Sequence, residues 1–231
     1  MASKPENGSV HQRAIDALMA LLAEKDWNDV SLIEIASRSG LTLAELRGAF
    51  PSKGAILAGF ARTIDQQVLK GDEGATDLED QPPRERLFDV VMRRFDALKP
   101  YKAAIRSARK GLLNDPLAAS AWNRVETNSA QWMLAAAGIE ESGATAAVKA
   151  QGLAVIFARV LRTWLDDDDS DMPKTMRELD RQLRYAERLV ETGDVILGAC
   201  RPFRGAIESL LARRPRKRET EATTEDATSA I

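Results

Sequence analysis

The residue types that carry most catalytic and metal chemistry are scarce in this sequence. There is one histidine, His11, and one cysteine, Cys200, which leaves no intrachain disulfide, no Cys/His metal cluster and little basis for a histidine-based catalytic triad. The acidic run Asp166–Asp169 looks like a metal site, but adjacent carboxylates point in different directions and no further ligand set accompanies them. We therefore predict neither an enzyme nor a bound metal or cofactor.

Net charge and hydropathy limit which classes of non-enzymatic protein remain possible. The chain of 231 residues has 33 Lys and Arg against 35 Asp and Glu, a net charge of −2, so any surface that attracts nucleic acid must be local. The sequence predicts no segment approaching the roughly 20 continuous apolar residues of a membrane span. Its first residues lack the apolar stretch of a secretory signal. We expect a cytoplasmic protein.

The elements that would position functional side chains are helices, because apolar residues recur every three or four positions almost throughout. Two capping boxes, Ser31-Leu32-Ile33-Glu34 and Thr42-Leu43-Ala44-Glu45, predict the starts of two short helices joined at Ser39-Gly40-Leu41. The first should bury Leu32, Ile35 and Ala36, and the second Leu46. The pair forms a helix-turn-helix pattern between an amphipathic segment, 11–25, and a Phe50-Pro51-Ser52-Lys53 junction.

At these residues, over about 11–68, the chain resembles the TetR family of transcriptional regulators. The resemblance implies an all-α, TetR-like fold, with an N-terminal three-helix helix-turn-helix module followed by a larger helical domain that binds ligand and forms a homodimer. It also implies a regulator that binds a double-stranded DNA operator and is released or tuned by a small apolar effector, whose identity the sequence does not specify.

The resemblance further implies that Leu41–Phe50 is the recognition helix. The implied DNA-binding residues are Ser31, Arg38, Thr42, Leu43, Arg47 and Lys53. Thr42 would contact a phosphate or a base edge, and Lys53 the DNA backbone. Residues 1–70 contain eight bases and eight acids, so binding requires Arg38, Arg47 and Lys53 to share one side while several acids face away. Arg47 fits either a DNA contact or a solvated surface position.

A polar, acidic stretch, 71–83, predicts a linker between a DNA-binding module, 1–70, and a helical domain, 84–213. Residues 214–231 should form a disordered tail, basic at first and then acidic. Large apolar side chains of the second domain are candidates for lining a ligand pocket or for plain core, namely Met92, Phe95, Trp122, Trp132, Met133 and Phe157. TetR-like proteins build their dimer contact from the helices that correspond here to the segments around Gly152 and Leu183.

A second, shorter resemblance points to a different class of protein. The segment 159–165, the acidic loop after it and Leu179-Asp180-Arg181 look like the ubiquinone-biosynthesis lipid-binding proteins that share a TetR-like fold. In those proteins an amphipathic C-terminal helix contacts the membrane. Here an apolar stripe with basic neighbours follows the same spacing, at Phe203, Ile207, Leu210 and Leu211. That helix could contact a membrane or lipid, or pack on its own domain.

Overall fold

The structure is a computed structural model, and it describes residues 8–71, 81–139 and 141–188. Nine α-helices and no strand lie within these ranges. They are α1 (Val10–Glu24), α2 (Leu32–Ser39), α3 (Leu43–Ala49), α4 (Lys53–Lys70), α5 (Pro83–Leu98), α6 (Lys102–Leu113), α7 (Pro116–Ala136), α8 (Gly143–Leu165) and α9 (173–188). Short 3-10 turns at Trp27–Asp29 and Lys99–Tyr101 precede α2 and α6. The all-α prediction is confirmed.

Both predicted capping boxes form. The Ser31 hydroxyl accepts from the Glu34 amide at 3.2 Å, and the Glu34 carboxylate accepts from the Ser31 amide at 2.9 Å. Thr42 and Glu45 make the same reciprocal pair at 3.2 and 2.7 Å. The orphan amides at both helix starts are therefore satisfied locally, and sequence alone fixes where α2 and α3 begin.

Gly40 makes the turn between α2 and α3 possible. Its φ of 64° lies in the left-handed region, and its amide and that of Leu41 bond back to the last turn of α2. We predict that Gly40→Ala lowers the free energy of unfolding by about 1–2 kcal/mol, because a Cβ is strained in this conformation. Urea unfolding followed by circular dichroism measures the loss.

Gly48→Ala is the matched control for that change. Gly48 lies within α3, and a Cβ there has open space around it. This substitution should stabilise the protein by up to about 1 kcal/mol, since alanine is the better helix former. Equal effects at positions 40 and 48 would contradict the role given to the turn.

The N-terminal module closes around α1, which packs against α2, α3 and α4. Ile35, Ala36, Leu41 and Leu46 are buried as predicted. The prediction that Leu32 is buried is wrong, because 44% of this residue is exposed at the first turn of α2. The start of α2 thus presents two exposed apolar side chains, Leu32 and Ile33.

The remaining described helices form a bundle that shares α4 and α1 with the N-terminal module. Helix α4 packs on α5 and α7, α6 packs on α1 and α7, and α7 packs on α8. Asp167, after α8, is buried and accepts from the amide and hydroxyl of Thr175 at 2.8 Å, which organises the start of α9. The acidic run therefore contributes to a local loop structure.

Helix α8 meets the length and composition criteria of a membrane span, although Lys149 and Arg159 interrupt its apolar residues, so it is not the continuous apolar run that the sequence was expected to lack. Its most apolar stretch has a mean hydropathy of 1.4. Its buried side chains, among them Leu153, Phe157 and Trp164, pack within the bundle. A core helix of a helical bundle meets the same criteria, and the buried side of α8 packs in the bundle core, whereas Val148 and Val155 on its other side are exposed.

Several predictions fall outside the described residues. They are most of the 71–83 linker, Cys200, the amphipathic segment with Phe203, Ile207, Leu210 and Leu211, and the 214–231 tail.

Candidate nucleic-acid interface and ligand cavity

The outer face of α3 carries Leu43 and Arg47, which are one turn apart and therefore point to the same side. Leu46 faces the opposite way and is buried against the module. Leu43 is 52% exposed, and Arg47 is exposed with no hydrogen bond or ion pair among the residues that the structure describes. This face offers one uncommitted guanidinium beside an apolar side chain.

The other predicted contacts at the start of the two helices are already engaged within the protein. The hydroxyls of Ser31 and Thr42 donate to Glu34 and Glu45 at 3.0 and 2.8 Å. The bond from Lys25 and those from Ser31 hold the pKa of the exposed Glu34 at about 2. The carboxylates of Glu34 and Glu45 both belong to capping boxes and stay hydrogen-bonded at the helix starts.

Arg38 lies on the exposed side of α2, where its guanidinium pairs with Glu24 of α1 at 2.5 Å. Both side chains are about half exposed, at 47% and 51%. Such a surface pair is weak in water. Arg38 can therefore exchange Glu24 for a phosphate at small cost.

Lys53 lies in a different environment from the one predicted for a DNA-backbone contact. Its ammonium donates to the carbonyl oxygens of Trp27 and Val30 at 2.6 and 2.7 Å and lies 4.4 Å from the Trp27 ring centroid. Partial burial lowers the pKa of Lys53. Two of its three N–H donors thus hold the turn before α2, so Lys53 has a structural role there, and the predicted contact with the DNA backbone stays a prediction.

A cavity of about 220 Å³ lies in the bundle beneath this module, enclosed by helices α4 to α8. Among the six predicted lining residues, Trp122 and Phe157 line it. Phe95 is fully buried and stacks behind Phe157, with ring centroids 4.9 Å apart. The bundle thus contains a cavity, and two of the six candidate side chains lie in its wall.

The other three candidates stand apart from the cavity wall. Met133 is buried, with its sulfur 4.0 Å from the Arg94 Nη1, and Met92 is partly buried against the core. Trp132 is 54% exposed on α7 and is therefore a correction, because it faces away from the bundle. Helical spacing alone does not separate core, cavity and surface for such residues.

Three charged residues that were not predicted from the sequence line the cavity, namely Arg94 of α5, Arg109 of α6 and Glu126 of α7, and the first and last of them form a buried pair. Arg94 is 2% exposed, with Nη1 3.2 Å from the Glu126 Oε2 and Nη2 3.4 Å from the Asp65 Oδ1. Ser129 donates to Asp65 at 2.6 Å, and the guanidinium lies 4.4 Å from the Phe157 ring centroid. The position of Arg94 on the apolar stripe of Val90, Val91 and Leu98 was the available signal.

This buried cluster, Asp65, Arg94, Glu126 and Ser129, links α4, α5 and α7. Burial raises the pKa of Glu126, and Arg94 opposes that shift only in part. A buried carboxylate costs free energy unless it is fully paired. At the inner end of the cavity, where this cluster lies, one guanidinium is therefore shared by two carboxylates and does not fully compensate their negative charge.

Helix α6 connects the cavity with the N-terminal module. Its Ala108 and Leu112 line the cavity, whereas Gly111 faces Trp27 so closely that a Cβ there would lie 2.5 Å from the Trp27 Cγ and Cδ1. The same junction contains a Lys110–Asp26 ion pair and a hydrogen bond from Ser107 to the Lys25 carbonyl, both at 2.7 Å. Helix α6 therefore contacts the cavity on one side and the turn that precedes α2 on the other.

Apolar side chains are also exposed on α8, where Val148, Gly152 and Val155 follow one face. Val148 is 71% exposed and Val155 41%. An exposed apolar stripe of this kind is typical of a protein interface.

A scan against protein-family models gives no match to this sequence, and no curated protein matches it. Solved structures do share the fold. A TetR transcriptional regulator from Nitrosomonas europaea ATCC 19718 is 23% identical, covers 78% of this chain and 99% of its own, and has a TM-score of 0.62.

Two further structures agree with the first. A TetR transcriptional regulator from Rhodococcus sp. RHA1 is 23% identical over 76% of this chain and 94% of its own, with a TM-score of 0.52. A tetR-family transcriptional regulator from Streptomyces coelicolor is 18% identical over 89% and 98%, with a TM-score of 0.51. The chain therefore has the fold of TetR regulators.

Proposed function

We propose that this protein is a cytoplasmic transcriptional regulator that binds operator DNA as a homodimer and is controlled by a small ligand. The observation that carries the proposal is the exposed outer face of α3, where Leu43 and the uncommitted Arg47 project from a helix-turn-helix. The fold shared with TetR regulators supports it.

In this proposal α3 enters the major groove, with Arg47 on a base edge or phosphate and Leu43 against an apolar part of a base. Arg38 contributes a phosphate contact by leaving Glu24. In the same proposal the amino-terminal caps keep Thr42 and Ser31 close to the DNA backbone, where each hydroxyl donates to a phosphate after leaving its glutamate partner. Lys53 contributes indirectly by holding the turn that precedes α2.

Dimerisation brings two copies of α3 to one duplex. The exposed stripe on α8 supports a homodimer contact formed by α8 and α9, because a self-complementary apolar face suits a two-fold interface. Two recognition helices must then match half-sites spaced roughly 34–36 Å apart or a multiple of that distance. A ligand that favours another separation weakens DNA binding by its differential affinity for the two states.

The cavity supports the ligand part of the proposal. Its walls include Leu57, Phe60 and Ala61 of α4, the helix that begins at the helix-turn-helix junction, and Ala108 and Leu112 of α6. Both helices reach the N-terminal module, α4 by continuity and α6 through Trp27. A ligand that spreads these helices would move the module.

The test is a duplex selected by the full chain from a random library and then titrated at two salt concentrations. We predict that Arg47→Ala lowers affinity for this duplex about tenfold, because one groove-facing guanidinium is lost. If Arg47 contacts a phosphate, the salt slope falls by about one unit and all sequences weaken alike.

Arg124→Ala is the matched control, since Arg124 is an exposed arginine on α7 outside the N-terminal module. It should leave DNA affinity unchanged. Failure to select any duplex, or equal affinities for the two variants, would reject the role of α3.

The membrane contact of the lipid-binding alternative depends on the C-terminal amphipathic segment, which lies outside the described residues. No feature of the described residues favours it over DNA binding.

A further inference from the structure

The inner end of the cavity holds two acids and one base. Arg94 is shared between Asp65 and Glu126, at 3.4 and 3.2 Å, so the three side chains sum to −1 when both carboxylates are ionised. Of the two acids, Glu126 lines the cavity, whereas Asp65 lies behind it and accepts from Ser129. The group that faces a ligand is therefore the acid with the fewer partners.

Burial makes this imbalance significant. Glu126 and Arg94 are almost completely removed from solvent, at 9% and 2% exposed. Charges in such a site interact strongly because water screens them little. A single positive charge placed beside Glu126 would complete the pairing that Arg94 alone provides only in part.

Apart from Arg109 and Asn123, the rest of the cavity wall is apolar and aromatic. Phe60, Trp122 and Phe157 contribute rings, and Leu57, Leu98 and Ile105 contribute aliphatic wall. Ring faces attract cations as well as apolar groups. A dry cavity of about 150 Å³ in another protein holds benzene, so the 220 Å³ here fits one ring with a short substituent.

We propose that this cavity binds a small organic cation, an apolar body of about one ring that carries a protonated amine, with the ammonium donating to Glu126. The body lies between Trp122 and Phe157. The binding of the cation is inferred from the cavity alone. Only its role as the effector rests on the proposed function.

The cavity favours a cation over an anion for two reasons. Both terminal nitrogens of Arg94 already face carboxylates, so an anion at the inner end would meet two acids. The other cavity base, Arg109, is half-buried near Leu113 and Asn123, which are exposed and mark the mouth. Water screens a charge at the mouth more than one at the inner end.

Binding of the amine in the cavity would also affect α4. An ammonium on Glu126 competes with Arg94 for that carboxylate and leaves Arg94 more closely paired with Asp65 of α4. Since α4 begins at the helix-turn-helix junction, the amine would act on the element that positions α3.

The experiment is isothermal titration calorimetry of the full chain, without DNA and near neutral pH, with three probes of similar size. They are 2-phenylethylamine, the uncharged 2-phenylethanol and the anionic 3-phenylpropanoate. We expect the amine to bind about tenfold or more tightly than the alcohol, because a hydrogen bond to a charged group is the stronger one, and the propanoate to bind most weakly. Equal binding of amine and alcohol, or tightest binding of the propanoate, overturns the proposal.

Two variants locate the binding. Glu126→Gln keeps the size of the side chain and should abolish the preference for the amine while alcohol binding persists, which also shows that the cavity is intact. Ala119→Phe, at the partly exposed mouth, should block both probes. Persistence of the preference in the first variant, or of amine binding in the second, would place the amine elsewhere and refute the assignment.

The calorimetry is independent of DNA, so its outcome and that of the operator titration are distinguishable. If the amine binds but does not change the affinity of the protein for a selected duplex, the cavity is still the amine site, and only the effector role is rejected.

Discussion

Replacing Arg94 by methionine is expected to lower the free energy of unfolding by about 3–5 kcal/mol near neutral pH, because the change leaves two buried carboxylates without their shared base. Arg94 is 2% exposed and lies within 3.4 Å of Asp65 and Glu126. Methionine fills much of the same space with no charge. Urea unfolding monitored by circular dichroism gives the difference directly.

The loss should depend on pH in a defined direction. In the wild-type fold the pKa of Glu126 is already raised by burial, so the folded state keeps that proton to a higher pH than the unfolded state does. Stability therefore falls as the pH rises from the ordinary glutamate pKa through the raised one. Removing Arg94 widens that interval, and the destabilisation should shrink as the pH falls toward the ordinary glutamate pKa.

The triple variant Asp65→Asn, Arg94→Met, Glu126→Gln provides the control. Without ionisable groups the cluster no longer holds an unpaired charge, and most of the lost stability should return. If the triple variant is as unstable as Arg94→Met alone, packing of the arginine side chain and not its charge is the source of the effect.

Gly111→Ala is the second substitution with a large expected effect. A Cβ at this position would lie 2.5 Å from the Trp27 Cγ and Cδ1, well inside van der Waals contact. Trp27 has little freedom to move, since Lys53 binds its carbonyl and lies over its ring. We expect overpacking to lower the free energy of unfolding by about 1–3 kcal/mol, as measured by thermal or urea unfolding.

A double-mutant cycle isolates the contact with Trp27. In a Trp27→Ala background the space is open, and Gly111→Ala should become neutral or stabilise the protein by up to about 1 kcal/mol through its helix propensity. The same destabilisation in both backgrounds would mean that Gly111 is constrained by something other than Trp27.

Local sequence patterns identified the helix-turn-helix well because its signals act over a few residues. Ser31 with Glu34, Thr42 with Glu45, and Gly40 between them specify two helix starts and a turn through hydrogen bonds within four positions. The exposed face of α3 follows from the burial of Leu46. These features required no knowledge of distant contacts.

The cavity was predicted less well from sequence, as Trp132 and Arg94 illustrate. Both lie at helical spacings consistent with a core, yet Trp132 is exposed on α7 and Arg94 is fully buried against Asp65 and Glu126. Charged residues are buried only when partners compensate them. Those partners come from helices some 30 residues away along the chain, so the sequence stripe gave no sign of them.

The sequence by itself determined the helical class, the positions of α2 and α3 and the presence of Arg47 on the outer face of α3, since hydrogen bonds and side-chain periodicity within single helices set all three. Only the tertiary structure decided that Lys53 serves the turn at Trp27 and that Glu126 shares Arg94 with Asp65. The physical reason is that hydrogen-bond partnership and desolvation depend on which helices meet, and packing between distant segments sets both.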